Sequence, residues 1–133
     1  MTFDSHHLSL TIAAPADAVY KFASDPRNLP FWAAGLAGSI SENGDDWVAD
    51  SPMGKIRIEF AAPNPYHVLD HVVILPSGER SLNPMRVVPN GNGCEVIFSL
   101  FKRRGITDED FKKDARAVLS DLRALKQLME KRR

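Results

Sequence analysis

Cysteine is almost missing: Cys94 stands alone among 133 residues, which excludes an internal disulfide and offers no thiolate framework for zinc. An excess of one charge is missing too. Seventeen Lys and Arg balance seventeen Asp and Glu, so nothing recruits nucleic acid or an anionic membrane, both of which need a sustained surplus of basic side chains. No stretch approaches the ~20 apolar residues of a membrane span. The opening Met1-Thr2-Phe3-Asp4-Ser5-His6-His7 has no apolar segment of signal-peptide length behind a basic start. Internal repeats and low-complexity segments are also lacking. What these absences leave is a single cytoplasmic domain, residues 1–133, long enough to bury most of its apolar surface. Nucleic-acid binding and membrane insertion are not expected.

The strongest positive signal is Thr107 to Lys131. Phe111, Ala115, Val118, Leu122, Leu125 and Met129 recur at alternating steps of four and three, one face of an α-helix. Leu119 and Leu128 widen the stripe, while Lys112, Lys113, Arg116, Arg123 and Lys126 fall elsewhere on the barrel. Thr107 with Asp110 reads as a helix start, Asp108 and Glu109 suit its positive end, and Lys131, Arg132 and Arg133 suit its negative end. Such a helix is roughly 36 Å long and needs a broad apolar surface beneath it.

The residues before it supply strands. Leu8, Leu10 and Ile12 alternate with Ser9 and Thr11. Ala14-Pro15 stops that strand and opens a short helix with Val19, Phe22 and Ala23 on one face, broken at Asp25-Pro26. A second short helix is expected from about Arg27 to Ala34, with Gly35 as its stop. The period then changes to two. Leu36–Ser41 and Trp47–Ser51 flank the turn signal Glu42-Asn43-Gly44-Asp45. Lys55–Phe60 is the cleanest one-sided strand. Tyr66–Leu75 is apolar on both parities, as for a strand covered twice or lining a cavity. Arg80–Val88 and Cys94–Phe101 form a last hairpin around Pro89-Asn90-Gly91-Asn92-Gly93. Pro84 removes one ladder donor, so an edge or bulge belongs near it.

This order predicts an α+β fold. Its parts are a curved antiparallel sheet of seven strands, two short helices after the first strand, and a long C-terminal helix across the concave face. A helix laid over a curved sheet leaves space beside it, and that space is the candidate site. The order, with Ala14-Pro15…Val19, Asp25-Pro26, Trp32 and the C-terminal helix, resembles the START-like, Bet v 1-like helix-grip superfamily from Leu8 to Met129. Its polyketide cyclase/dehydrase branch is the most similar. The resemblance implies a deep hydrophobic pocket that binds lipids, hormones, polyketides, quinones or aromatic acids. Some members are cyclases or dehydratases and others act by protein contact, so the fold alone does not choose among these.

Asp70 and His71 are adjacent on a strand and point to opposite faces, so they cannot act as a dyad. A buried carboxylate costs more than a neutral imidazole, which places His71 inward and Asp70 toward an edge or a basic partner. His67 and His71 share a parity but lie roughly 13 Å apart, too far for one metal at ~2.1 Å without other ligands. No metal and no cofactor is expected. Arg86 could clamp an anionic group or pair with Asp70 or Glu95 outside. A bulge at Pro84 would turn Asn83 or Met85 inward. Trp32 can stack on a flat ligand, and Phe98 completes the apolar wall. Cys94 has no activating partner in the sequence.

The ligand-binding set is therefore Trp32, His71, Asn83, Met85, Arg86 and Phe98, around a small hydrophobic or aromatic molecule, with or without cyclase- or dehydratase-like chemistry. The alternative is a non-enzymatic interaction module with a largely filled cavity, co-chaperone-like or homodimeric. It would act through an apolar patch at Val72 and Ile74.

Overall fold

The computed structural model describes residues 1–131. Strand β1 (Ser5–Ile12) leads into α1 (Ala16–Ala23), which starts behind Pro15 and buries Val19. Asp25 ends this stretch by accepting the Arg27 amide at 3.0 Å and opening a tight turn over Pro26–Asn28. The second helix, α2, is only Leu29–Trp32, shorter than the sequence suggests, because that turn and Pro30 use up its first residues. It turns Leu29 and Trp32 inward and leaves Phe31 exposed.

The strands β2 (Ser39–Asn43), β3 (Asp46–Ser51), β4 (Gly54–Phe60), β5 (His71–Ile74), β6 (Arg80–Asn83), β7 (Met85–Asn90) and β8 (Gly93–Phe101) follow, then α3 (Asp108–Lys131). The class is α+β and the arrangement is the helix grip. All strand pairs are antiparallel. They form two sheets, β1-β8-β7 and β2-β3-β4-β5-β6, rather than one sheet of seven.

The cause lies at Pro84. The expected strand 80–88 breaks there, β6 pairing with β5 and β7 with β8. Proline has no N–H for a ladder, and its carbonyl accepts from the Ser99 amide at 3.0 Å. The expected strand 66–75 also shrinks, to β5. Asn64 holds the chain before it in a loop, its Oδ1 accepting from the Tyr66 and Val68 amides, and His67 sits at φ 59°. Two bonds tie this loop to β7, Leu69 N–H to the Met85 carbonyl (2.8 Å) and Val87 N–H to the His67 carbonyl (3.1 Å).

Alternation decides which side chains reach the core. In β4, Ile56 and Ile58 are fully buried and alternate with exposed Lys55 and Arg57; in β8, Cys94, Val96, Phe98 and Leu100 are buried. Helix α3 begins with the Asp110 amide donating to Thr107 Oγ1 at 3.1 Å. It buries Ala115, Leu122, Leu125 and Met129 and packs on β1, β8 and α2. Near its end Lys126 Nζ donates to the Thr11 carbonyl (2.7 Å), and Glu130 accepts the Ala13 amide (2.8 Å), locking it to the end of β1. Arg132 and Arg133, assigned above to the negative helix end, lie outside the described residues. Among the described residues no helix is long and apolar enough to cross a membrane.

Candidate functional site

A hollow of about 250 Å³ lies beside α3. Its floor comes from β5, β6 and β8 through His71, Val73, Ser81, Asn83, Phe98 and Leu100; α2 contributes Leu29 and Trp32, and α3 contributes Asp114, Ala117, Val118, Asp121 and Leu122. Gly35, Met53, Asp114 and Ala117 are its exposed lining residues and mark its mouth, beside α2 and the β3–β4 hairpin tip.

His71 turns into this hollow and Asp70 out of it. The His71 ring is buried between Phe60 and Phe98, with ring centroids 6.0 Å from each. Its Nδ1 lies 3.0 Å from the Leu69 carbonyl. A carbonyl only accepts, so Nδ1 carries the proton and Nε2 keeps its lone pair. Nε2 has no partner among the described residues. Burial pushes the imidazole pKa below 6.5, outweighing the Leu69 bond and the nearby Asp70 charge, so the ring is neutral at pH 7.

Trp32 supplies the complementary group. Its side chain is 6% exposed, and its Nε1–H, buried, meets no acceptor. An unpaired buried donor costs roughly 1–3 kcal/mol. The site thus offers one donor and one acceptor, both on buried side chains. Asn83 donates from Nδ2 to the Ser81 carbonyl at 3.2 Å, leaving its Oδ1 as a further acceptor.

Two of the six residues singled out from the sequence do not reach this hollow. Arg86 is on the exposed side of β7, where it grips Asp70 with Nε–Oδ1 at 3.2 Å and Nη2–Oδ2 at 3.0 Å. The alternation that buries Met85 and Val87 points Arg86 outward. Asp70 also accepts the Met85 amide at 2.9 Å. Burial works to raise the Asp70 carboxyl, but the Arg86 bond, the Met85 amide and the Arg86 charge together hold it below its ordinary value. Met85 is buried in the core instead. It borders a separate void of about 20 Å³ that His71 and Trp32 also line, room for one water.

Other groups in the hollow went unread. The Arg103 side chain is 27% exposed, lines the hollow and pairs with Glu79 at 3.2 Å. Asp114 precedes Val118 by four residues and Asp121 follows it by three, the same period as the apolar stripe, and that spacing was the signal for them. Burial raises the Asp114 carboxyl, against the pull of Arg103. Desolvation alone pushes Asp121 up to about 6.

A larger hollow, about 780 Å³, is an open groove between the start of α1 and the β7–β8 turn. Its imidazole, His67, is already paired with Asp17 at 2.7 Å and packed on Tyr20. No buried unpaired polar atom lines it among the described residues, so the smaller hollow is the better site. Cys94 is buried, and burial raises its thiol away from the reactive form. Among the described residues no three metal-ligating side chains come together.

Residues 5–130 match the family described as polyketide cyclase/dehydrase and lipid transport. No curated protein matches the chain. Among solved structures it is similar to the protein XoxI from Bacillus cereus (TM-score 0.76, 18% identity, 94% of each chain covered). It is also similar to a START superfamily protein from Mycobacterium smegmatis (TM-score 0.72, 15% identity, 97% of this chain and 99% of that one). A truncated norcoclaurine synthase from Thalictrum flavum aligns at TM-score 0.66 and 18% identity, over 96% and 95%. At these identities the likeness is one of fold. With residues 5–130 of the chain matched by the family model and the helix-grip fold shared with the START protein, the chain belongs to the polyketide cyclase/dehydrase and lipid-transport family.

Proposed function

We propose that this chain binds a small hydrophobic or aromatic molecule in the hollow between its sheets and α3. The observation that carries the reading is the pair of unanswered polar groups on buried side chains in a largely apolar wall, Trp32 Nε1–H and His71 Nε2. A ligand oxygen would accept from Trp32, and a ligand hydroxyl or N–H would donate to His71. The apolar body would lie against Leu29, Val73, Phe98 and Val118. His71 is also the group suited to moving a proton, because a neutral imidazole with a free Nε2 is a base. Family membership supports this class of function without naming a reaction or a ligand.

The interaction-module reading has less to stand on. Ile74 is buried and Val72 half-buried, so the apolar patch it relied on does not form. Native mass spectrometry of freshly expressed protein tests the binding reading. A bound species of small-molecule mass is expected, or, from a hydrophobic library, compounds that raise the melting temperature. No bound species and no stabilising compound would end it.

A further inference from the structure

The α3 wall of the hollow carries charge that the rest of the protein does not answer. Asp121 is half-buried beside Val118 and Leu122 and has no hydrogen bond or ion pair among the described residues. Asp114, two turns earlier on the same face, adds a second carboxylate. The one cation in this lining among the described residues, Arg103, is engaged with Glu79 at 3.2 Å and acts electrostatically on Asp114. Glu79 and Asp114 thus share one guanidinium, and Asp121 is left with none. Acidic side chains alone would not define a site. Here the same hollow also holds the unpartnered Trp32 Nε1–H and His71 Nε2, on side chains no more than 8% exposed.

We propose that the ligand of this hollow is an organic cation, an apolar body carrying an ammonium or amidinium group that pairs with Asp121. The inference rests on the binding reading above and adds the charge of the ligand to it. A carboxylate half withdrawn from water has already lost part of its hydration. An arriving N–H cation replaces that loss with a charge-assisted hydrogen bond in a medium less screening than water. A carboxylate or phosphate ligand would instead face Asp114 and Asp121 with no free guanidinium to receive it. The arrangement therefore selects against fatty and aromatic acids. Neutral molecules fit the apolar wall but leave Asp121 unpaired.

Three probes with one body separate these cases: 4-phenylbutylamine, 4-phenylbutanol and 4-phenylbutyrate. They are titrated calorimetrically at about pH 7.5 into the full chain, Asp121→Asn and Ala117→Trp, the last placing an indole in the mouth. The amine should bind roughly tenfold or more tighter than the alcohol, and the carboxylate weakest. Asp121→Asn should abolish the gap between amine and alcohol while leaving the alcohol within about threefold. Equal binding of amine and carboxylate, or a gap that survives Asp121→Asn, overturns the cation proposal and leaves the binding reading intact. If none of the three probes binds, or those that bind do so to Ala117→Trp as well as to the native chain, the binding reading falls and the proposal with it.

Discussion

Asp121 and His71 line the same hollow, and burial moves their protonation in opposite directions. The Asp121 carboxyl rises from 3.8 to about 6. The folded state therefore holds this proton more tightly than the unfolded chain, and the cost of ionising it in place is absent below pH 3.8 and complete above about 6. For His71 the folded value lies below 6.5, so its contribution is complete above 6.5 and lost on acidification. Comparing Asp121→Asn with the native protein cancels the histidine. The variant should be more stable by on the order of 1 kcal/mol at pH 8, less than the full shift implies because the carboxyl still meets some water. Urea midpoints should converge as pH falls toward 4; a constant difference across the range would mean that desolvation is not the cause. Asp121 was hard to read from sequence because a charged residue on an amphipathic helix is normally assigned to water. Its spacing from Val118 sets it on the face of the apolar stripe, but only the hollow beneath shows it half withdrawn from water. For Arg86 the sequence left two roles open, and strand alternation selects the outer one, the pair with Asp70.

Among the elements, regular periods were legible and interruptions were not. The stripe of α3 and the alternation of β4 and β8 follow directly from side-chain geometry, so their burial could be read off residue by residue. The break at Pro84 could be located but not interpreted. Whether a missing N–H makes a bulge or hands the chain to another sheet depends on what waits beside it, here the Ser99 amide. The β1–β8 contact carries a similar hidden constraint. A Cβ on Gly93 would stand 2.6 Å from the Ile12 carbonyl oxygen, a backbone atom that cannot swing aside. Gly93→Ala should cost about 1–3 kcal/mol in chemical denaturation, and an unchanged midpoint would show that the two strands slide apart freely.

For the molecule as a whole, stability and ligand capacity are separable. The core around Ile12, Ile56, Ile58, Val96, Leu122 and Leu125 is closed, and the hollow lies to one side of it. Ala117 faces the mouth and is itself exposed. Ala117→Trp should therefore shift the melting temperature by no more than about 2–4 °C while abolishing binding of any compound that stabilises the native chain. A collapse in stability would place Ala117 in the core; retained binding would place the ligand elsewhere. The mouth could not be read in the sequence, because Gly35, Met53, Asp114 and Ala117 come from separate stretches and none belongs to the apolar stripe.

The hollow has one further consequence, in the order of synthesis. Helix α3 follows every strand in the chain, yet it forms one whole side of the chamber. While the ribosome is still making residues 108–131, the sheets present bare greasy surface to water or to chaperones. Cargo cannot be enclosed before translation of that helix is finished, so a transcript cut short before it would yield a sticky fragment rather than a weaker receptor.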